Sequence, residues 1–165
     1  KQKDFSSLIK AFSIVSNRHN NWKLEIYGEG SLKKELHDLI VDLNLTYNVI
    51  LKGTTNNIFH KYKHSSIYVH TAYYEGFGNS ILEAMAHALP IVAFKSVGGV
   101  KLLVHNDVNG FTINNRDIHG LADKIMVLID KRMLRKKMGI KSREISENYE
   151  EDKIMLQWHQ FYSSI

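Results

Sequence analysis

The segment 71-TAYYEGFGNSILEAMAHALPIVA-93 decides the fold. It opens on a glycine-rich turn, 76-GFG-78, set between two glutamates, Glu75 and Glu83. Its middle, 79-NSILEAMAHA-88, reads as a helix. The run 90-PIVAF-94 reads as a short strand buried on both faces. Turn, helix and buried strand in that order are the second half of a β-α-β unit, so the strands are expected to lie parallel.

The same alternation extends in both directions. Phe5, Leu8, Ile9, Phe12 and Val15 recur at helical spacing, and 22-WKLEIY-27 then alternates as a strand does before 28-GEG-30. Ser31 is the predicted N-cap of a helix whose face is Leu32, Leu36, Leu39, Ile40 and Leu43. A strand at 48-NVILK-52 closes at Gly53. A short helix around Ile58, Phe59 and Tyr62 and a strand at 66-SIYVH-70 follow. Beyond the opening segment, Gly98 and Gly99 begin a turn and a short helix, 110-GFTI-113 is a strand, and 117-DIHGLADKIMVLI-129 is an amphipathic helix. The rest is helical, ending in 151-EDKIMLQWHQFY-162 with Ile154, Trp158 and Phe161 on one face.

The prediction is one α/β domain over residues 1–165, a Rossmann-like doubly wound parallel sheet with helices on both faces. Such sheets bind ligands outside the carboxyl ends of their strands. The turns after Tyr27, Lys52, His70 and Phe94 all fall at that edge.

Composition narrows the chemistry. There is no cysteine, which excludes disulfides, thiolate metal sites and cysteine nucleophiles and fits a reducing compartment. No apolar run approaches the ~18 residues of a spanning helix. The net charge of +5 suits an anionic ligand, a membrane surface or nucleic acid without selecting among them. Seven basic residues and no acid fill 131-KRMLRKKMGIKSR-143, and five acids follow in 144-EISENYEED-152. The expectation is that the two segments pair or are solvated, with a membrane-facing or partner-facing patch as the alternative. The basic run lacks interleaved aromatics and no nucleic-acid motif is present, so no nucleic-acid partner is expected. His60 and His64 are spaced i, i+4, but no third ligand is specified, and no metal site is expected.

At 76-GFG-78, backbone amides precede a helix N-terminus, where unpaired donors and the helix dipole favour anions. Glutamates beside them can accept hydrogen bonds from hydroxyls. Amides for phosphate and carboxylates for hydroxyls would suit a sugar nucleotide, although two glutamates eight positions apart are also common on ordinary helices. Tyr73 and Tyr74 either line that pocket or pack.

The string EGFGNSILEAMAHALPIVA closely resembles the Glu-x7-Glu signature of retaining GT-B glycosyltransferases, especially glycosyltransferase family 4 (glycosyl transferases group 1). KDFSSLIKAF, WKLEIYGEGSLKKEL, NVILKG, GGVKLLVHNDVNGFTI and NYEEDKIMLQWHQFY resemble further blocks of that family in its order. The resemblance implies the C-terminal, donor-binding half of a GT-B fold. It implies transfer of a hexose-type sugar from a nucleoside diphosphate donor to an acceptor hydroxyl, with retention, in polysaccharide, lipopolysaccharide or glycolipid synthesis. By resemblance, Glu75 is the catalytic residue facing the donor sugar, and Glu83 binds the ribose. Gly76, Phe77 and Gly78 present amides to sugar and diphosphate, and Lys3 binds phosphate. Gly28 and Gly30 allow close approach of the nucleotide, while Gly53 and Thr54 line the base. No metal or other cofactor is implied.

Three departures from the family pattern stand out. Ala88 occupies a position usually glycine, and Lys101-Leu102 stands where the family has Pro-Glu, which leaves that glutamate without a counterpart. The family's domain begins with a strand and an arginine ahead of the residue matching Lys3. The expectation here is therefore a sheet without its first strand: a gap, an upstream segment, or a strand from another chain. The family's N-terminal domain, which selects a sugar or lipid-linked acceptor, is likewise outside this sequence. The last helix, about 149–163, is expected to pack back toward it. By this reading the fragment alone is inactive, and a non-catalytic nucleotide-sugar-binding module is the alternative. The expected location is cytoplasmic, compatible with peripheral association at the inner membrane face.

Overall fold

The computed structural model of the chain describes residues 2–163. Strands and helices alternate in the predicted order. Helix α1 (Phe5–Arg18) starts at Asp4, whose carboxylate accepts the Ser7 amide at 3.4 Å. There follow β1 (Leu24–Tyr27), α2 (Lys33–Asp42), β2 (Val49–Gly53), α3 (Ile58–Lys63) and β3 (Tyr68–His70). The opening segment supplies β4 (Tyr74–Glu75), α4 (Asn79–Ala86) and β5 (Ile91–Phe94). The chain continues through β6 (Val97–Gly98), α5 (Gly99–Leu103), β7 (Gly110–Ile113), α6 (Ile118–Asp130) and α7 (Arg132–Ser146). A single 3-10 turn (Glu147–Tyr149) leads into α8 (Glu151–Ser163).

All strand pairs are parallel, as expected for strands joined by helices. β5 is buried along its whole length between β3 and β7. Its side chains alternate across the sheet: Val92 and Phe94 join one apolar core with α1 and α6, while Ile91 and Ala93 join a second with α4 and α5. Each large side chain fully buried this way contributes about 1.5–3 kcal/mol of gross stabilisation. Two layers of helix around β5 are what set its carboxyl end as a rigid edge.

The sheet is not continuous. β1 pairs with β2, and β3, β5 and β7 form a separate ladder. Among the described residues no strand joins β1 to β3. A cavity of about 840 Å³ lies between them, lined by both strands and by Phe5, Leu8 and Phe12 of α1. The resemblance to the family puts its first strand at this place.

Two local expectations change. Ser31 does not cap α2, which begins at Lys33 behind Leu32 with no side-chain cap. The Lys33 amide bonds the Gly30 carbonyl at 3.2 Å, so the serine lies in a turn one residue ahead of the cap position. Glu75 lies in a two-residue strand, β4, and not in a loop. The basic run is solvated at Lys131, Arg132, Lys136, Lys137 and Arg143 and paired at Lys141, which bonds Glu144 at 2.5 Å, as expected; only Arg135 departs, turning inward to the Leu128 and Ile129 carbonyls and lying over the Trp22 ring. α8 carries Trp158 and Phe161 exposed, with Ile154 half-buried.

Candidate functional site

Beyond the carboxyl ends of β3 and β5, backbone pairing holds the EGFG turn in place, and the Gln2 side-chain amide adds a bond to the Tyr74 carbonyl at 3.2 Å. β4 and β6 pair as a short ladder, Tyr74 with Val97 and Glu75 with Gly98. The Gly99 amide then donates to the Gly76 carbonyl at 2.8 Å. A Cβ on Gly98 would overlap the Glu75 and Gly76 carbonyl oxygens, and one on Gly99 would overlap that of Phe77. The paired glycines therefore exist to let this loop lie flat on the turn. Gly78, at φ 89°, ends the turn and starts α4. The first amides of α4 have no acceptor within the helix and open toward the same edge.

Glu75 sits beside that helix start, 19% exposed. Its Oε2 accepts from Lys3 Nζ at 3.1 Å and lies 3.4 Å from His70 Nε2. Lys3 reaches it because the chain start is docked along the end of β3. Thr71 Oγ1 donates to the Lys3 carbonyl at 2.8 Å and the Tyr73 amide to the Gln2 carbonyl at 3.0 Å. Glu83 lies on α4 and is held separately, its Oε2 accepting from the Tyr62 hydroxyl at 3.2 Å. Burial, then Tyr68 and Glu83, push the Tyr62 phenol well above its ordinary range, so it stays a donor. Tyr68 lies between the two acids: burial raises it to about 12, Ser80 opposes, and Glu75 and Glu83 both add to the rise. His70 moves the other way, to about 4, because burial strips the ring of water; Glu75 partly offsets this and Lys3 adds to it.

The remaining predicted residues lie across the cavity at the ends of β1 and β2. Gly28 donates its amide to the Gly53 carbonyl at 2.8 Å, and both have positive φ, 129° and 72°. Gly30 and Thr54 are exposed beside them. The structure thus brings Lys3 to Glu75 and Gly28 to Gly53, and fixes Glu83 through Tyr62. Phe77 is 44% exposed and meets Tyr149 edge-on at 5.6 Å. Tyr74 is exposed, whereas Tyr73 packs under Arg116, whose Nε donates to its hydroxyl at 3.0 Å.

His70, Tyr62 and Arg116 were not among the predicted site residues. For His70 the available signal was an ionisable residue at the end of a strand facing the ligand edge. Among the described residues no three histidines or acids are placed to hold a metal ion. No helix among them is long and apolar enough to cross a membrane.

An edge of strand ends with two anchored glutamates, a docked lysine and a glycine turn can hold a polyhydroxylated anion. Residues 1–145 match the family described as Glycosyl transferases group 1. Poly(ribitol-phosphate) alpha-N-acetylglucosaminyltransferase of Staphylococcus aureus (strain COL) is 37% identical over 158 residues, 95% of this chain and 32% of that protein. A variant of S. aureus TarM, crystallised in a complex that includes UDP, superposes with a TM-score of 0.91 at 35% identity over 97% of this chain and 33% of its own. HepE of Anabaena, crystallised with UDP, gives 0.89 at 26% identity over 99% of this chain and 46% of its own. The chain thus spans between 32% and 46% of the length of these relatives. It belongs to the glycosyl transferases group 1 family, with the fold of a GT-B C-terminal domain.

Proposed function

We propose that this chain is the donor-binding half of a retaining glycosyltransferase of family 4, which moves a sugar from a nucleoside diphosphate to an acceptor hydroxyl. The observation that carries it is that the two glutamates are held by different partners. Glu75 is paired with Lys3 at the N-terminal end of α4, and Glu83 is fixed one turn further along by Tyr62. In this reading Glu75 faces the donor sugar and Glu83 accepts from the ribose hydroxyls. Lys3 and the amides of Gly76, Phe77 and Gly78 meet the diphosphate as its charge grows on leaving, with no metal required. Gly28 and Gly30 admit the nucleotide closely, with Gly53 and Thr54 beside the base.

The UDP in the TarM and HepE complexes supports a uridine donor. The alpha linkage in the name of the S. aureus relative supports retention, since UDP-N-acetylglucosamine is itself α-linked. The acceptor would be a polysaccharide, lipopolysaccharide or glycolipid hydroxyl presented by a second domain. The 165-residue chain by itself would then bind donor without turning it over.

The test is calorimetric titration of UDP into the native chain and Glu83→Ala. A charge-assisted hydrogen bond to the ribose predicts affinity weaker by about ten- to a hundredfold. Equal affinities would remove the ribose role of Glu83. Thermal-shift titration with GDP, ADP and CMP then ranks the bases.

A further inference from the structure

His70 is the buried titratable group that the reading above leaves without a task. It ends β3 and is only 4% exposed. A buried ring nitrogen normally has a hydrogen-bond partner. Nε2 has none among the described residues, and the acceptor it faces is Glu75 Oε2 at 3.4 Å, close enough but out of line for a formed bond. Lys3 Nζ and His70 Nε2 therefore both face one oxygen. Lys3 Nζ is the nearer at 3.1 Å, yet its side chain is 53% exposed and free to swing on a long stem. The imidazole is locked in a strand, with the Tyr68 ring stacked 6.4 Å away.

We propose that His70 is a positioning residue for Glu75, its Nε2–H holding the carboxylate when Lys3 turns to the donor diphosphate. This rests on the roles given above to Glu75 and Lys3. The carboxylate then has one exchangeable partner and one permanent one. The charged and titratable groups facing the ring are Glu75, Lys3 and Tyr68. Burial keeps the ring neutral near pH 7, so it donates one hydrogen bond without cancelling the negative charge that Glu75 presents to the sugar. A protonated histidine at this position would compete with the donor's developing positive charge; a neutral one does not.

The experiment uses the full-length protein. First, ¹⁵N imidazole NMR reads the tautomer of His70 between pH 6 and 8, assigned by difference from His70→Gln. The Nε2–H tautomer with a resonance that moves in Glu75→Gln is expected; the Nδ1–H tautomer overturns the proposal. Second, turnover of UDP-N-acetylglucosamine is followed by UDP release. His70→Leu keeps the bulk but loses the donor, and kcat should fall about tenfold or more while donor KM changes about twofold at most. His70→Gln, whose amide nitrogen stands near the Nε2 position, should recover most of the loss. Equal impairment of both variants, or unchanged kcat in His70→Leu, overturns the positioning role. Glu75→Gln separates the two ideas: retained kcat there sinks the reading of Glu75, whereas a lost kcat beside a normal His70→Leu sinks only this one.

Discussion

At the scale of single residues, the proton on His70 links the site to stability. In the unfolded chain the ring takes its ordinary value near 6.5, and in the fold burial lowers it to about 4. Between those two values the unfolded chain binds more protons than the native one, so stability falls as pH drops through that window and is fully present above it. The size is on the order of 3 kcal/mol. Denaturant midpoints measured from pH 7 down to 4.5 should fall more steeply for the native protein than for His70→Gln; parallel decline would mean another group carries the effect. Glu75, Glu83 and the glycine turn stood out through the resemblance of their string to a family signature, because two glutamates at that spacing are common on ordinary helices. The sequence did not announce His70, Tyr62 or Arg116. Tyr62 meets Glu83 across 21 positions and Arg116 meets Tyr73 across 43, and no periodicity encodes such pairs. Ala88 is a case between the two. It was legible as a departure from glycine, but only the structure shows that it stands at φ 56°, where a glycine would be unstrained.

Elements were read best where burial imposes a period. β5 shows both of its faces in four residues, and α6 begins where Asp117 accepts the Gly120 amide at 2.8 Å. The β4–β6 pair escaped because two-residue strands have no alternation to detect; their geometry is set by glycines instead. That makes Gly98 a sharp test of the turn. A Cβ there needs both a positive φ and room that two backbone carbonyls occupy. Gly98→Ala is expected to cost about 2 kcal/mol or more by chemical denaturation and to weaken UDP binding in parallel. Unchanged stability would show that the β6 loop is free to move off the turn. Ser31 failed as a cap for a geometric reason, since a hydroxyl one residue early cannot reach the second or third amide of α2.

For the whole molecule, alternation of strand and helix was enough to predict parallel layers, whereas the split of the sheet followed only from resemblance. Charge was legible in amount and, apart from Arg135, in arrangement. With Arg135 turned inward and Lys141 paired to Glu144, the outward face of α7 presents Arg132, Lys136, Lys137 and Arg143 around exposed Met133 and Ile140. Basic side chains around apolar ones suit the interface of an anionic bilayer, which makes the membrane-facing patch named above a testable alternative. Co-sedimentation should show binding to vesicles of equal parts phosphatidylcholine and phosphatidylglycerol, lost with Lys136→Glu plus Lys137→Glu and weakened by salt. Binding that ignores both changes would refute it.

The glycine turn is shaped by main-chain groups: β4 pairs with β6, and the Gly99 amide bonds the Gly76 carbonyl. A surface built of peptide groups keeps its shape through most side-chain changes around it. Neighbouring residues can therefore drift while the turn stays the same, except at Gly98 and Gly99, where an added Cβ would meet its carbonyl oxygens.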